Sequence, residues 1–223
     1  MKPDASVEQT SSFLDSVCDA LISRDRVHTI LLYGSHADGS ANEHSDYDIA
    51  AFGPVEKTVR DARNIDSRFL DVFLHPEGML QTPGVEHLPL RGSRILLQRD
   101  GEAAHFLAEL DEIHRRGPDS PSPDEISARL TWANKMALRA RRLDIEGDYR
   151  RTWLLSALLE DYFYIRAMWY EGPKKAFKWL LAHDPETYGA FERALKIETS
   201  LDTIDALVNR FVEKYKTEQN HGA

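Results

Sequence analysis

The chain has 223 residues, a formal net charge of −9, 42% hydrophobic residues and one cysteine. That length allows one or two domains with a buried core, and the lone Cys18 excludes an intrachain disulfide and a multi-cysteine metal site. The acidic balance argues against nucleic acid as the main partner and suits a cationic small molecule, although solubility explains the charge equally well.

The first half of the chain alternates helical and extended patterns. Apolar residues at helical spacing predict a helix over residues 6–24, and the stretches 56–66 and 102–115 are also suited to helices. Short apolar runs bounded by Gly, Pro, Asp or Asn predict four strands, at residues 27–33, 47–52, 68–74 and 93–98. We therefore predict an α+β domain over residues 1–117, with a small mixed sheet and flanking helices.

The second half of the chain is helical. It begins after the linker RRGPDSPSPD, in which Ser122, Pro123 and Glu125 form the signature of a capping box. Helical periodicity then continues to the end of the chain, with two further segments that each start at a proline. We predict an all-α helical bundle over residues 122–218.

The segment LLYGSHADGSANEHSDYDIAAF joins the first two predicted strands. Asp46 and Asp48 open the second strand, so their side chains share one face about 6–7 Å apart at the backbone. Two carboxylates this close repel each other, and a divalent cation removes the repulsion; Mg²⁺ suits oxygen ligands that leave room for phosphates. The backbone N–H groups of Gly34 and Ser35 and the serine hydroxyl could bind phosphate oxygens.

A third carboxylate lies inside another predicted strand. Asp71 interrupts the apolar run RFLDVFL, where an unpaired buried carboxylate would be costly. Beside Asp46 and Asp48 it becomes a metal ligand or a general base. Each feature has an ordinary alternative by itself: a turn for Gly-Ser, a helix cap or solvated turn for SDYD, and an edge-strand charge for Asp71. Their combination favours a metal-binding or catalytic site.

This order of residues resembles the nucleotidyltransferase superfamily that includes DNA polymerase β. The pattern is a Gly-Ser turn, a loop, an Asp-x-Asp strand and a later acidic residue, and the matching positions are Gly34, Ser35, Ser45, Asp46, Asp48 and Asp71. Asp38-Gly39 in the loop and the segment 166–188 are similar to the streptomycin/spectinomycin adenylyltransferases. The resemblance implies a nucleotidyltransferase domain over residues 1–117, followed by a helical bundle over residues 122–218 that contributes contacts to the nucleotide and the acceptor.

The resemblance also implies roles for individual residues. Asp46, Asp48 and Asp71 would hold Mg²⁺, with Asp71 as third ligand or as the base for an acceptor hydroxyl. The triphosphate of ATP would lie on Gly34, Ser35 and the neighbouring Ser45. From the helical domain, Lys174 or Lys175 would bind a phosphate, although both also suit an ordinary solvated first turn.

Acceptor contacts are predicted on the apolar helix 151–170. Its only carboxylates are Glu160 and Asp161, and either could bind an ammonium group of the acceptor or act as general base. The alternative is a buried ion pair between Asp161 and an arginine of the preceding helix, in the segment 138–143. His36 and His44, which flank the Gly-Ser loop, are predicted to be exposed to solvent.

The favoured function is transfer of AMP from ATP to a hydroxyl of a small, cationic acceptor such as an aminoglycoside-like antibiotic. Two alternatives stay open: nucleotidyl transfer to an RNA end or a protein, as in toxin–antitoxin-like systems, and an inactive nucleotide-binding regulator. The missing basic stripe counts against RNA, the fused helical domain against a free-standing antitoxin, and the three carboxylates against the regulator.

The N-terminal residues, the length of the apolar runs and the cysteine count bear on the cellular location of the protein. The N-terminal residues MKPDASVEQT lack the apolar core of a secretion signal, and no apolar run reaches membrane-spanning length. With a single cysteine, these features predict a cytoplasmic protein without a membrane partner. A monomer and an oligomer whose neighbouring subunit closes the cleft are equally compatible with the sequence.

Overall fold

The protein is described by a computed structural model, which covers residues 5–142, 144–196 and 200–221. The chain forms two compact units, Met1–Arg116 and Gly117–Ala223. The first contains a five-stranded mixed sheet with flanking helices, and the regular elements described in the second are helices. The predicted α+β class, with a mixed sheet followed by helices, is confirmed.

The first unit is built around its sheet. In chain order its elements are α1 (Ala5–Asp25), β1 (Thr29–Tyr33), α2 (Ser35–Asp38), β2 (Tyr47–Gly53), β3 (Val59–Ile65), β4 (Arg68–Pro76), β5 (Arg94–Leu97) and α3 (Glu102–Arg116). Short 3₁₀ turns occupy Glu77–Gln81 and Val85–Leu90. The strand order is β3-β4-β2-β1-β5, with β2 and β4 parallel and the other neighbours antiparallel.

Both faces of the sheet are covered by helices along the middle of the strands. Ile30 and Ile49 belong to the buried cluster that includes Leu21 of α1, on one face. Ala50 packs on the other face in a cluster with Phe106 of α3. Because alternate strand residues share a face, Asp48 lies on the same face as Ala50, two residues closer to the start of β2.

The helix predicted at residues 56–66 does not form, and that prediction is wrong. Most of this segment is β3, an edge strand that pairs antiparallel with β4. The two strands are joined by Asp66 and Ser67, whose φ angles of 50° and 63° suit a two-residue hairpin turn. Because an edge strand meets water widely, its side chains are polar on both faces, and the alternation that identifies a half-buried strand is lost.

The second unit contains α4 (Pro123–Ala140), α5 (Ile145–Tyr164), α6 (Pro173–His183), α7 (Pro185–Ala194) and α8 (Leu201–His221). The predicted capping box forms at the start of α4: the Glu125 N–H donates to the Ser122 hydroxyl over 3.3 Å, and the Ser122 N–H donates to the Glu125 carboxylate over 2.8 Å. Leu154 and Leu158 of α5 are buried at the centre of the core. Within the described ranges of the chain, every helix is too short or too polar to cross a bilayer.

Candidate active site

Gly34 lies at the end of β1, directly against the Asp48 carboxylate. Its φ of 69° and ψ of −153° form a conformation that residues with a side chain rarely adopt. A Cβ at this position would overlap Oδ2 of Asp48 and lie 3.2 Å from its Cγ. Glycine is therefore required here by backbone geometry and by the close approach of a carboxylate, and the short helix α2 starts at the next residue, Ser35.

The Asp48 and Asp71 carboxylates belong to neighbouring strands. Asp48 of β2 is in register with Asp71 of β4, and in parallel strands this places both side chains on one face of the sheet. Asp71 is 8% exposed, whereas Asp46 precedes β2 and is exposed. Burial, with the nearby charges of Asp46 and Asp71, raises the pKa of Asp48 to about 6. The sheet thus places Asp48 near acidic groups that disfavour its ionisation.

A guanidinium group shares this site with the aspartates. Arg60 of β3 donates through Nε to Oδ1 of Asp71 over 2.8 Å and through Nη2 to Oδ2 over 2.7 Å. Its side chain is 58% exposed, and its guanidinium carbon lies 5.4 Å from the centre of the Phe73 ring. Tyr33, in register with Asp48, has its pKa raised to about 12 by burial and by the charges of Asp48 and Asp71.

Sequence reasoning did not identify Arg60 or Tyr33 as members of the site. Arg60 lies in the segment that was predicted as a helix, so its contact with the Asp71 side chain was not foreseen. Tyr33 was included in a predicted strand, and its register with Asp48 depends on the pairing of β1 with β2. The alternating pattern of the hairpin and its turn residues is the signal that could have placed Arg60.

The loop between α2 and β2 is held by its own polar side chains. Ser45 accepts through its hydroxyl from the Asn42 N–H over 2.9 Å, and its carbonyl accepts from Nε2 of His36 over 3.3 Å. His36 stacks on Tyr47 with ring centres 3.8 Å apart and is half-buried, so its predicted exposure is wrong. His44 is exposed, as predicted.

The Asp38-Gly39 pair has a structural explanation. The Asp38 carboxylate accepts from the Ser40 N–H over 2.9 Å, and Gly39 ends α2 with a φ of 77°. A left-handed residue after a short helix is most readily glycine, and aspartate commonly closes such a turn. Turn chemistry alone therefore accounts for the pair that resembles the aminoglycoside enzymes.

The chemistry of the three carboxylates suits a hard divalent cation, and the mutual repulsion at Asp48 is the kind that a cation relieves. Their arrangement is incomplete for that purpose. Within residues 5–142, 144–196 and 200–221, no group of three or more His, Cys, Asp or Glu residues is placed to hold a metal ion. Both oxygens of Asp71 are bonded to Arg60 instead. Metal binding by Asp46, Asp48 and Asp71 therefore stays a prediction.

The predicted acceptor residues belong to the second unit. Glu160 is exposed, whereas Asp161 is 3% exposed and forms an ion pair with Arg129 of α4. Burial raises the pKa of Asp161, and the Arg129 guanidinium, which also lies 3.7 Å from the Tyr164 ring centre, opposes that rise. The ion pair exists, but its partner is not in the segment 138–143, and that part of the prediction is wrong.

The two lysines predicted to bind a phosphate lie in the first turn of α6. Both are exposed, and Lys175 donates to the Glu171 carboxylate over 2.6 Å. The helix is capped by Gly172, with a φ of 86°, and starts at Pro173. A part for Lys174 and Lys175 in nucleotide binding, like the acceptor contacts of Glu160 and Asp161, stays a prediction.

Comparisons with known proteins find a family match within the first unit. No curated protein matches the chain. A nucleotidyltransferase-like protein of solved structure from Exiguobacterium sibiricum 255-15 is similar over 95% of this chain and 75% of its own, with 12% sequence identity and a TM-score of 0.44. The family described as "Polymerase beta, Nucleotidyltransferase" matches residues 16–81, which include Gly34, Asp48 and Asp71. Within the first unit, residues 16–81 are therefore similar to the nucleotidyltransferase domain of the superfamily that includes DNA polymerase β.

Proposed function

We propose that the protein transfers AMP from ATP, with Mg²⁺, to a hydroxyl group of a small acceptor, for which an aminoglycoside-like antibiotic is the favoured choice. One observation carries the proposal: Asp48 and Asp71 lie in register on parallel strands, beside a glycine that the Asp48 carboxylate requires. This arrangement lies within the residues that match the nucleotidyltransferase family.

Each residue of the site has a defined task in this proposal. Asp46, Asp48 and Asp71 would hold the divalent cation, which would supply charge stabilisation at the phosphates. The backbone at Gly34 and the hydroxyl of Ser35 orient the phosphate oxygens for in-line attack by the acceptor hydroxyl, with pyrophosphate as leaving group. If Asp71 does not bind the cation, its carboxylate accepts the proton of the attacking hydroxyl.

The second unit supplies the remaining contacts in the proposal. Lys174 or Lys175 binds a phosphate, and Glu160 or Asp161 binds a cationic group of the acceptor. Asp161 is the weaker choice of the two carboxylates because Arg129 already neutralises it. The exposed Glu160 is available to an acceptor without breaking a buried pair. The cytoplasmic location predicted from the sequence stays a prediction.

A pyrophosphate-release assay tests the proposal. The protein is incubated with ATP and Mg²⁺ and with aminoglycosides, lincosamides or RNA in turn, and mass spectrometry of the acceptor identifies the transferred group. We expect release with a small hydroxylated acceptor and its loss in the Asp46→Asn, Asp48→Asn double variant. Asp61→Asn, which changes a carboxylate outside the site on β3, serves as the matched control.

Each alternative function predicts another result of this assay. Release with RNA, or AMP found on a protein, would favour a macromolecular acceptor. ATP binding without release for every acceptor would favour a nucleotide-binding regulator. Turnover that persists in the double variant would contradict the assignment of the site itself.

A further inference from the structure

The bond between Arg60 and Asp71 has a geometry that leaves little of the carboxylate for another cation. Two parallel hydrogen bonds of 2.8 and 2.7 Å join Nε and Nη2 of Arg60 to the two oxygens of Asp71. This fork-to-fork contact uses the oxygen lone pairs that face the guanidinium, and it is the strongest form of the arginine–carboxylate interaction. The partner carboxylate is largely removed from solvent, with its side chain 12% exposed.

Charge adds to the competition. The guanidinium carries one positive charge within a cluster that includes Asp48 and Asp71, and its field is felt at Tyr33. A divalent cation held by the same carboxylates would lie within a few ångströms of that charge and be repelled by it. The carboxylate that Arg60 occupies is Asp71, one of the three predicted cation ligands.

We propose that Arg60 is a positioning residue that competes with the divalent cation for Asp71, so the three-carboxylate group assembles only when the Arg60–Asp71 pair opens. The inference rests on the proposed function, because it concerns the cation that nucleotidyl transfer requires. While the pair is closed, Arg60 neutralises Asp71 and fixes its orientation in the cation-free protein.

The position of Arg60 allows the pair to open without disturbing the fold. Arg60 comes from β3, which has a neighbour on one side only, and more than half of its side chain meets water. Its strand partner is Phe73, and the guanidinium already lies within cation–π range of that ring. The released side chain therefore has both solvent and an aromatic face to occupy.

The experiment is a titration with Mn²⁺ in the absence of nucleotide, in which free Mn²⁺ is followed by electron paramagnetic resonance. Arg60→Gln removes the charge and leaves a shorter polar side chain, and we expect it to bind Mn²⁺ at least about tenfold more tightly than the unaltered protein. Arg60→Lys keeps the charge but loses the two-pronged contact, and its affinity should lie between the two.

Two further variants separate competition from a general effect on folding. Arg63→Gln alters an arginine of the same strand that is paired with Asp61, and it should bind Mn²⁺ like the unaltered protein. When Asp71→Asn is already present, adding Arg60→Gln should change the affinity much less, because the shared carboxylate is gone. Thermal unfolding of every variant confirms that it is folded.

The inference is overturned if Arg60→Gln binds Mn²⁺ as weakly as the unaltered protein or more weakly, with Arg60→Lys showing the same. It is also overturned if none of the variants binds Mn²⁺. Failure of the proposed function is recognised separately, by the absence of pyrophosphate release and acceptor modification in the unaltered protein. Active protein with unchanged Mn²⁺ binding in Arg60→Gln would remove only the role of Arg60.

Discussion

Each unit holds an aspartate that is at least half-buried, and the pKa values of these two carboxylates, Asp48 and Asp184, are shifted in opposite directions. In the first unit, burial and the charges of Asp46 and Asp71 raise the pKa of Asp48 to about 6. In the second, burial would raise the pKa of Asp184, but hydrogen bonds from Lys214, Thr187 and Tyr162 outweigh it and hold the pKa at about 2. Asp184 is 6% exposed and caps the start of α7.

The two carboxylates therefore differ in their effect on stability. The folded structure favours the ionised form of Asp184, whereas it disfavours the ionised form of Asp48. Asp184 has donors for its charge, including the Tyr162 hydroxyl at 2.8 Å. Asp48 lies near the acidic groups of Asp46 and Asp71, so its ionised form lowers the stability of the first unit. Functional sites commonly carry such local conflicts, whereas structural charges are satisfied.

The two units can be followed separately in one sample. All four tryptophans, Trp132, Trp153, Trp169 and Trp179, lie in the second unit, so their fluorescence reports its unfolding. Cys18, the single cysteine, packs against the core of the first unit, so the rate at which a thiol reagent labels it reports opening there. The stability changes of the variants below are measured with these probes.

The largest effect is expected when the Asp48 carboxylate, whose ionised form is disfavoured, is replaced by a neutral amide. Asp48→Asn should lower nucleotidyl transfer at least about a thousandfold, because it removes a proposed cation ligand. The same change should stabilise the first unit at pH 7 by about 1 kcal/mol, a value reduced because Asp48 is only half-buried. Turnover and Cys18 labelling measure the two effects. A parallel loss of activity and stability would contradict the comparison.

Gly34→Ala tests the close approach of the backbone to Asp48. We expect a loss of about 3 kcal/mol in the first unit, from the strained backbone and from displacement of the carboxylate, together with loss of transfer. Gly39→Ala is the matched control: its φ is also positive, but a Cβ there meets no atom within 4 Å, so about 1 kcal/mol is expected. If Cys18 labelling shows the same loss of stability in Gly34→Ala and Gly39→Ala, the contact with the Asp48 carboxylate contributes nothing.

Asp184→Asn tests the favourable carboxylate. Because the pKa of Asp184 is about 2 in the folded state and about 3.9 in an unfolded chain, its ionised form stabilises the second unit by about 2 kcal/mol above pH 4. That contribution is lost as the pH falls from about 4 to about 2. Urea unfolding followed by tryptophan fluorescence should therefore show a deficit in the variant at pH 7 that shrinks towards pH 2.

The control for Asp184→Asn is Glu192→Gln, which changes an exposed carboxylate on the same helix. It should leave the free energy of unfolding within about 0.5 kcal/mol of the unaltered protein at both pH values. A deficit in Asp184→Asn that stays constant from pH 7 to pH 2 would contradict the role given to its charge.

The smallest effect is expected at Ala167, where the backbone of the second unit is strained. Ala167 follows α5 with a φ of 50°, and its N–H and that of Met168 donate to the carbonyls of Tyr164 and Phe163 in the pattern of a glycine-type helix end. Ala167→Gly should stabilise the second unit by about 0.5–1 kcal/mol in tryptophan-monitored urea unfolding. Destabilisation would mean that the methyl group contributes packing worth more than the strain.

Sequence reasoning succeeded where burial leaves a clear pattern. The apolar runs of the central strands made the α+β class predictable, and the same runs made Asp71 conspicuous as a charge among apolar residues. Gly34 was identified for its place before a loop, but its second requirement, the nearness of Asp48, depends on the pairing of β1 with β2. A pairing register is a long-range property that one strand does not reveal.

The errors lie where tertiary contacts decide. Arg60 was overlooked because β3 is polar on both faces, so nothing local separates it from a solvated helix. The partner of Asp161 was sought in the segment 138–143, at the C-terminal end of α4. Contacts of Trp132 with Trp153 and of Arg129 with Asp161 show that α4 and α5 run antiparallel, which brings the end of α5 beside the beginning of α4.

The parallel pairing of β2 with β4 has a consequence for the order of folding. The hairpin of β3 and β4 closes through a two-residue turn, whereas β2 and β4 join across the whole intervening segment, which carries a larger loop-closure entropy. We expect pulsed hydrogen exchange during refolding to protect β3 amides before those of β2. Asp48 and Asp71 then meet only once β2 has paired with β4, so a ligand bound between them stabilises forms that contain this parallel pair and none that lack it.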